Sequence, residues 1–143
     1  MLCNNSLPSD ERTLVGFITF DSSVHFYSLK ANVDQPTMLV VSELDDIIIP
    51  SPQDLLVNLS DCKSAVISLL DSLPNMFRGA QILDTCTGPA LMAAQQLMGH
   101  IGGKLCIFQS SLPVFGVGAL KPREAPRLLG TDREHTMLAT EDV

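Results

Sequence analysis

The chain has 143 residues, of which 45% are hydrophobic and 17% are charged. This length and composition suit one ordinary domain with a sizeable core and exclude a chain that is disordered throughout. The net charge is −7, and the nine Lys and Arg residues are scattered. Both nucleic acid and an anionic lipid surface are disfavoured as partners, because phosphate binding needs clustered cations.

Residues 14–20 are almost continuously apolar, which predicts a strand covered on both faces. Asp21, Ser22 and Ser23 then suit a tight turn. Residues 24–29 alternate, so we expect a neighbouring antiparallel or edge strand that forms a hairpin with the first.

The next apolar run, 38–42, predicts a short buried strand, and an acidic loop follows at 43–46. Two prolines within 47–52 forbid a helix and favour an extended path. The chain between the hairpin and residue 60 is therefore expected to be strand and loop.

Two helices are predicted next. The first starts near Ser60 with a Ser-Asp capping candidate, repeats apolar residues at helical spacing and ends at Pro74. The second begins near Gly88 and Pro89 and stops at Gly99.

Residues 104–109 then predict another buried strand, so the order is β-β-β-α-α-β. A strand reached from a helix is a crossover element, which favours a mixed α/β sheet. After residue 109, prolines, glycines and alternating charges predict a long surface loop.

The four cysteines form no C-x-x-C pair; they are Cys3, Cys62, Cys86 and Cys106. We expect reduced cytosolic thiols without a metal site. Residues 1–10 lack the basic start and apolar run of a signal peptide, and no apolar stretch approaches the ~20 residues of a membrane-crossing helix.

Several polar groups could carry chemistry. His25 lies close in sequence to Asp21 and Ser23, but strand neighbours alternate faces, so a catalytic triad is not expected. Residues 84–88 could hold a divalent cation or cap a helix, and capping is favoured. The residues alone indicate a noncatalytic α/β module.

The segment 85–91, Thr-Cys-Thr-Gly-Pro-Ala-Leu, resembles the Thr-x-Thr-Gly-x-Ala-Leu helix start of von Willebrand factor A-like domains. The whole chain is similar to the trunk domain of the cargo-selecting subunit of the inner COPII vesicle coat. Two stretches, His25 to Tyr27 and Leu73 to Phe77, are not generic features of the superfamily. The matching stretches in chain order are 15–22, 24–27, 35–42, 55–59, 73–77, 88–91, 102–104, 112–113 and 130–134.

This resemblance implies a coat component that packages membrane cargo for transport from the endoplasmic reticulum to the Golgi, and it implies no enzyme activity. The implied partners are the other inner-coat subunit, as a heterodimer, and the cytosolic tails of membrane cargo and SNARE proteins. The implied location is cytoplasmic, peripheral on the endoplasmic reticulum membrane and COPII vesicles. The family carries structural zinc in a separate upstream module, so no cofactor is expected in this segment.

The resemblance also predicts an incomplete von Willebrand A-like (Rossmann-like) sheet with flanking helices. That fold begins with a strand carrying Asp-x-Ser-x-Ser and a helix, and neither precedes Leu14. We therefore expect residues 1–13 to be the end of a truncated helix and a turn, and residues 14–143 to be a partial trunk domain that ends in a long loop. No metal site is expected, since Gln109 stands where an acidic ligand would be needed.

Two other classes stay open at this point. A generic von Willebrand A-like protein-interaction module would share the fold, and an α/β hydrolase-like fragment would need a Gly-x-Ser-x-Gly motif, which is absent. The candidate contact residues for a partner or cargo are Arg12, Glu43, Asp45 and Asp46. Arg12 suits an anionic cargo signal, or a turn paired with Asp10 or Glu11, whereas the three acids suit a basic peptide or simple solvation.

Overall fold

The computed structural model describes residues 12–29, 35–80, 84–120 and 126–138. The strands are β1 (Leu14–Val15), β2 (Ile18–Phe20), β3 (Val24–Ser28), β4 (Thr37–Val41) and β5 (Val57–Asn58). The helices are α1 (Lys63–Met76) and α2 (Thr87–Met98), with short 3-10 turns at Pro52–Asp54, Pro126–Leu128 and Glu134–Leu138. The helix end predicted before residue 12 lies outside the described residues.

The centre of the fold is a three-stranded antiparallel sheet in the order β2-β3-β4. The predicted hairpin is confirmed: Ile18 lies opposite Phe26, and Phe20 lies opposite Val24. In the turn, the Asp21 side chain accepts a hydrogen bond from the Ser23 N–H at 2.9 Å. Short polar residues at this turn thus fix the register of the two strands.

β3 is buried along its whole length and lies between β2 and β4, so of the two predicted alternatives it is the antiparallel neighbour and not the edge strand. Val24 and Phe26 point to one face of the sheet, and His25 and Tyr27 point to the other. The polar tips of His25 and Tyr27 are hydrogen-bonded within the sheet, which allows helices to cover both faces.

The first apolar run is two short strands instead of one. β1 pairs with β5 in a separate two-stranded sheet. The extended run is interrupted at Gly16, before β2 begins. A Cβ at Gly16 would lie 2.8 Å from the carbonyl oxygen of Leu55, so the close approach requires glycine. The run is half-buried: Ile18 and Phe20 pack against the apolar cluster that contains Phe26, and Val15 and Phe17 pack against the one that contains Tyr27, so the predicted covering of both faces is partial.

β4 was predicted to be buried, and this was also wrong. It forms the edge of the sheet, and Met38 and Val40 are 38% and 52% exposed. Leu39 and Val41 on the opposite face pack against the core. Only one of its two faces is therefore covered.

Two clusters of apolar side chains lie on opposite faces of the central sheet. One joins Val24 and Phe26 to Ala90, Ala93 and Leu97 of α2. The other joins Tyr27 and Leu29 to α1 and includes Ala65, Val66 and Leu69. The spacing of three and four residues that predicted α1 also supplies its buried stripe, and α2 buries residues at the same spacing.

α1 differs from the prediction at both ends. It starts at Lys63, and its N-cap residue Cys62 makes no side-chain capping hydrogen bond. The Ser60 N–H donates to the Asn58 side chain at 2.9 Å, in the turn before the helix. Pro74 lies inside the helix, which continues to Met76. A proline in the last turn removes only one backbone bond, and the Phe77 N–H still donates to the Leu73 carbonyl at 3.2 Å.

The buried strand predicted at 104–109 is wrong. Residues 101–110 are exposed, and no strand is assigned to them. A strand needs a neighbour for its N–H and C=O groups, and no described strand pairs with this segment. Within the described ranges, no helix is long and apolar enough to cross a membrane.

Candidate functional site

A buried polar network ties β2 to β3. The Thr19 hydroxyl lies 2.8 Å from the Tyr27 hydroxyl and 3.2 Å from Nδ1 of His25. Thr19 and His25 are directly opposite each other in the sheet register, which explains why their side chains meet. Burial, partly offset by the hydrogen bond from Thr19, raises the pKa of Tyr27.

His25 is held on its other sides as well. Its Nε2 lies 3.6 Å from a carboxylate oxygen of Asp21, and its ring stacks on Phe77 with centroids 5.8 Å apart. The sequence argument that His25 and Asp21 cannot face each other was wrong. Asp21 lies in the turn after β2, so its side chain does not follow the alternation of the strands. The Asp21 backbone C=O accepts a hydrogen bond from the Cys86 N–H at 2.8 Å.

The line of hydroxyl, imidazole and carboxylate is the arrangement that activates a nucleophile in hydrolases. Here the hydroxyl is shared with Tyr27, and His25 is only 6% exposed. Ser23, the nucleophile weighed from the sequence, contributes its backbone N–H to Asp21. The network therefore ties the two strands of the hairpin together, with His25 and Tyr27 buried and Thr19 partly buried.

The segment 84–88 enters α2 without the predicted side-chain cap. Cys86 occupies the N-cap position and makes no capping hydrogen bond. Thr85 instead pairs with the chain near Pro113, and its carbonyl accepts from the Val114 N–H at 2.9 Å. Backbone contacts with the 112–115 segment therefore organise this helix start. Among the described residues, no group of three His, Cys, Asp or Glu side chains could hold a metal ion.

The acidic loop, Glu43 to Asp46, directly follows the exposed edge strand β4. Glu43, Asp45 and Asp46 are exposed, as expected, while Leu44 between them packs against the core. Leu44 therefore anchors the loop, and the three carboxylates project into solvent. This arrangement can present negative charge to a partner at little folding cost.

Arg12 lies at the other sheet. It is exposed in a turn just before β1, which pairs with β5, whereas the acidic loop follows β4 of the central sheet. The structure thus assigns the predicted contact residues to two separate sheets and does not define a single pocket from them.

One surface was missed in the sequence. The edge of β4 was predicted to be buried, although it combines exposed apolar side chains with the acidic loop. The available signal was the charge pattern: residues 35–62 contain five acids and no Lys, Arg or His. A shallow depression on α1, lined by Ser64, Ile67, Ser68, Asp71 and Ser72, carries no comparable feature.

Comparison with known proteins places this geometry in a family. Residues 2–143 match the Sec23/Sec24 trunk domain. The chain is 51% identical over 141 residues to the protein transport protein SEC24 A of Arabidopsis thaliana, covering 98% of this chain and 14% of that protein. It is 47% identical over 136 residues to human Sec24A, covering 95% of this chain and 12% of that protein.

A solved structure agrees. The human COPII-coat protein Sec24c matches with a TM-score of 0.77 and 34% identity over 90% of this chain and 17% of that one. This likeness confirms the predicted fold class, a mixed α/β, von Willebrand A-like arrangement. The chain spans only a small part of the length of each of these relatives. It belongs to the Sec23/Sec24 trunk domain family, and the relatives named above are Sec24 proteins.

Proposed function

We propose that this chain acts as part of a COPII coat subunit in transport from the endoplasmic reticulum to the Golgi. The observation that carries the proposal is the 51% identity to a Sec24 transport protein across 98% of the chain. The proposed partners are the other inner-coat subunit, in a heterodimer, and the cytosolic tails of membrane cargo and SNARE proteins. The proposed location is the cytoplasmic side of the endoplasmic reticulum membrane and of COPII vesicles.

The described surface suits this role. Its exposed features are a sheet edge, an acidic loop and apolar segments, which are features of contact surfaces. The His25 imidazole and the Tyr27 hydroxyl, which could do chemistry, are buried in the hairpin. We propose a noncatalytic role without a resident cofactor in this segment, with zinc assigned to a separate module of the full-length family.

The acidic loop is the first proposed contact, and a chimera provides its test. In this chimera, the 143-residue segment replaces the matching segment of full-length Arabidopsis SEC24 A. Asp45→Lys with Asp46→Lys should weaken recruitment of a cargo tail or of the other inner-coat subunit roughly threefold or more, since each exposed ion pair contributes up to about 1 kcal/mol. Pull-down from reconstituted membranes measures this recruitment.

The matched control reverses two acids elsewhere. Asp61 is exposed just before α1, and Asp71 is exposed within it. Asp61→Lys with Asp71→Lys therefore changes the net charge by the same amount as the loop variant. Recruitment should be unchanged in this control. Equal recruitment by the loop variant and the unmodified chimera would remove the loop from the contact surface.

Arg12 is the second proposed contact, for an anionic cargo signal, because a guanidinium binds carboxylates in two-point geometry. Arg12→Lys and Arg12→Ala in the chimera should both reduce binding of acidic cargo tails, with the larger loss for alanine. If both variants bind every acidic tail as tightly as the unmodified chimera, Arg12 has a role only in the turn and does not contact cargo.

The noncatalytic role has its own test. The chimera should show no turnover of ester, peptide or phosphate substrates above a buffer control. Turnover that His25→Ala or Asp84→Ala abolishes would contradict the proposal.

A further inference from the structure

We propose that the outer edge of β4 binds an extended basic peptide segment of a partner protein by antiparallel strand pairing. Each β4 residue pairs with one residue of β3, from Val24 opposite Val41 to Ser28 opposite Thr37. β4 is the last strand of its sheet, so its outer edge faces no other strand in the described part of the chain. Its outward N–H and C=O groups can pair with an added strand.

The edge lacks the features that prevent such pairing. Natural edge strands usually carry a lysine, a proline or a bulge, whereas Thr37 to Val41 contains none of these and pairs in continuous register. Met38 and Val40 lie on one face, 38% and 52% exposed. An added strand can cover them with its own alternate side chains.

Charge selects the chemistry of the occupant. The acidic loop follows the carboxyl end of β4 directly, and the stretch 35–62 has five acids and no cation. A partner segment with Lys and Arg beside this end is attracted, and an acidic one is repelled. Because the central sheet is antiparallel throughout, an added antiparallel strand places its amino-terminal residues next to the acidic loop.

A second copy of the chain fits this edge less well. The chain carries a net charge of −7, so two copies repel each other, and each would bring a further acidic loop to the joint sheet. The inferred occupant is therefore a segment with basic residues first and alternating polar and β-branched residues after them. This inference concerns the sheet edge and does not require the coat function proposed above.

The test uses the chimera and a fluorescein-labelled peptide, acetyl-Lys-Arg-Lys-Thr-Val-Thr-Val-Thr-amide, in fluorescence anisotropy. A second peptide of the same sequence is N-methylated at alternate residues of its Thr/Val part, on the edge that would face β4. It keeps the charge and loses the N–H donors. We expect the parent peptide to bind at least about tenfold more tightly than the methylated one, a difference of about 1.4 kcal/mol.

Variants of the edge complete the experiment. Val40→Lys should weaken binding of the parent peptide by about tenfold, because an edge lysine opposes strand addition. Ile48→Lys is the matched control: Ile48 is 75% exposed in the same acidic stretch but outside β4, and the charge change is identical. It should change binding by less than about threefold.

Three results would overturn the inference. Equal binding of the parent and methylated peptides would show that charge alone attracts the peptide. Equal weakening by Val40→Lys and Ile48→Lys would show the same. The third result is a chimera that binds no peptide but self-associates, and that becomes monomeric with Val40→Lys. It would show that the edge pairs with a second copy of the chain. The peptide comparison needs no variant, so it holds even if Val40→Lys disturbs the fold.

Discussion

At the scale of single residues, the hairpin depends on a few buried polar atoms. The Thr19 hydroxyl is the shared partner of His25 and Tyr27, and both of these side chains are buried. Removing a shared partner leaves two buried polar groups unsatisfied, which costs more than the hydrogen bonds themselves contribute. Thr19 is therefore the residue on which the network depends most.

Thr19→Val keeps the shape of the side chain and removes its hydroxyl. We expect the free energy of opening of the β2–β3 hairpin to fall by about 1–3 kcal/mol. Amide hydrogen exchange of peptides covering 18–28 in the chimera measures this opening. In Thr19→Val with Tyr27→Phe, the loss should be smaller than the sum of the two single losses, because the tyrosine hydroxyl is no longer stranded. Additive losses would show that the two hydroxyls do not interact.

The cysteines give a second prediction at this scale. Burial raises the pKa of the Cys62 thiol, with a smaller contribution from Asp61, and raises that of Cys86, with a smaller contribution from Asp21. Cys62 also donates to the Leu29 carbonyl at 3.2 Å, whereas Cys106 is exposed. The thiolate is the reactive form, so a raised pKa and burial slow alkylation together.

At pH 8, iodoacetamide should modify Cys106 at least about tenfold faster than Cys62 or Cys86. Because the folded-state pKa values of the two buried thiols lie above the ordinary 9.0, folding favours the protonated thiols. Their stabilising contribution is fully present below pH 9 and is lost as the pH rises through the raised values. Mass spectrometry of the chimera resolves each site, and equal rates at all three sites would contradict the described burial.

At the scale of elements, close backbone contacts position the helices more than caps do. Neither α1 nor α2 has a side-chain cap at its start. α2 instead begins beneath the 113–118 segment, where a Cβ at Gly88 would overlap the Val117 carbonyl oxygen. The absence of a side chain at Gly88 allows this segment to cover the helix start.

Gly88→Ala should therefore destabilise, by about 1–3 kcal/mol, although alanine normally favours a helix. The added methyl group should displace the 113–118 segment, so thermolysin cleavage between these residues should accelerate in the chimera. Gln96→Ala, at an exposed position of the same helix, is the control and should leave the cleavage rate unchanged. A slower cleavage of Gly88→Ala would mean that the segment does not cover the helix start.

At the scale of the whole molecule, a long apolar segment stays on the surface. Ile101, Leu105 and Ile107 are about half exposed, and Phe108 is 91% exposed. Several exposed apolar side chains in one short segment indicate a contact surface or an association liability. In the 143-residue chain on its own, nothing among the described residues covers it.

The isolated chain should therefore associate in solution. Ile107→Ser with Phe108→Ser should reduce this association, because the two changes remove the most exposed part of the segment. Leu91→Ser with Met92→Ser, on the partly exposed face of α2, is the matched control. Size-exclusion chromatography with light scattering gives the measurement, and a monomeric unmodified chain with cooperative thermal unfolding would contradict the prediction.

The sequence by itself determined the local elements and the family. Alternation and turn residues predicted the hairpin, helical spacing predicted α1, and the terminal Pro89 and Gly99 predicted α2. The matching stretches predicted the trunk domain. These features depend on residues that are neighbours along the chain, so they can be predicted from the sequence. The exposure of Glu43, Asp45 and Asp46 was predicted for the same reason, while their role in binding stays a prediction.

Tertiary structure alone decided which strands are central and which are exposed. The apolar runs at β4 and 104–109 predicted buried strands, and the alternation at β3 predicted an antiparallel neighbour or an edge strand. In the structure β4 is an edge, 104–109 pairs with no described strand, and β3 is buried throughout. The burial of a strand depends on the sheets and helices that reach it, and hydrophobicity alone does not specify them. The folded geometry also brings His25 and Asp21 together across a turn. It likewise decides that Pro74 lies in the last turn of α1, where a proline destabilises the helix less than in its middle.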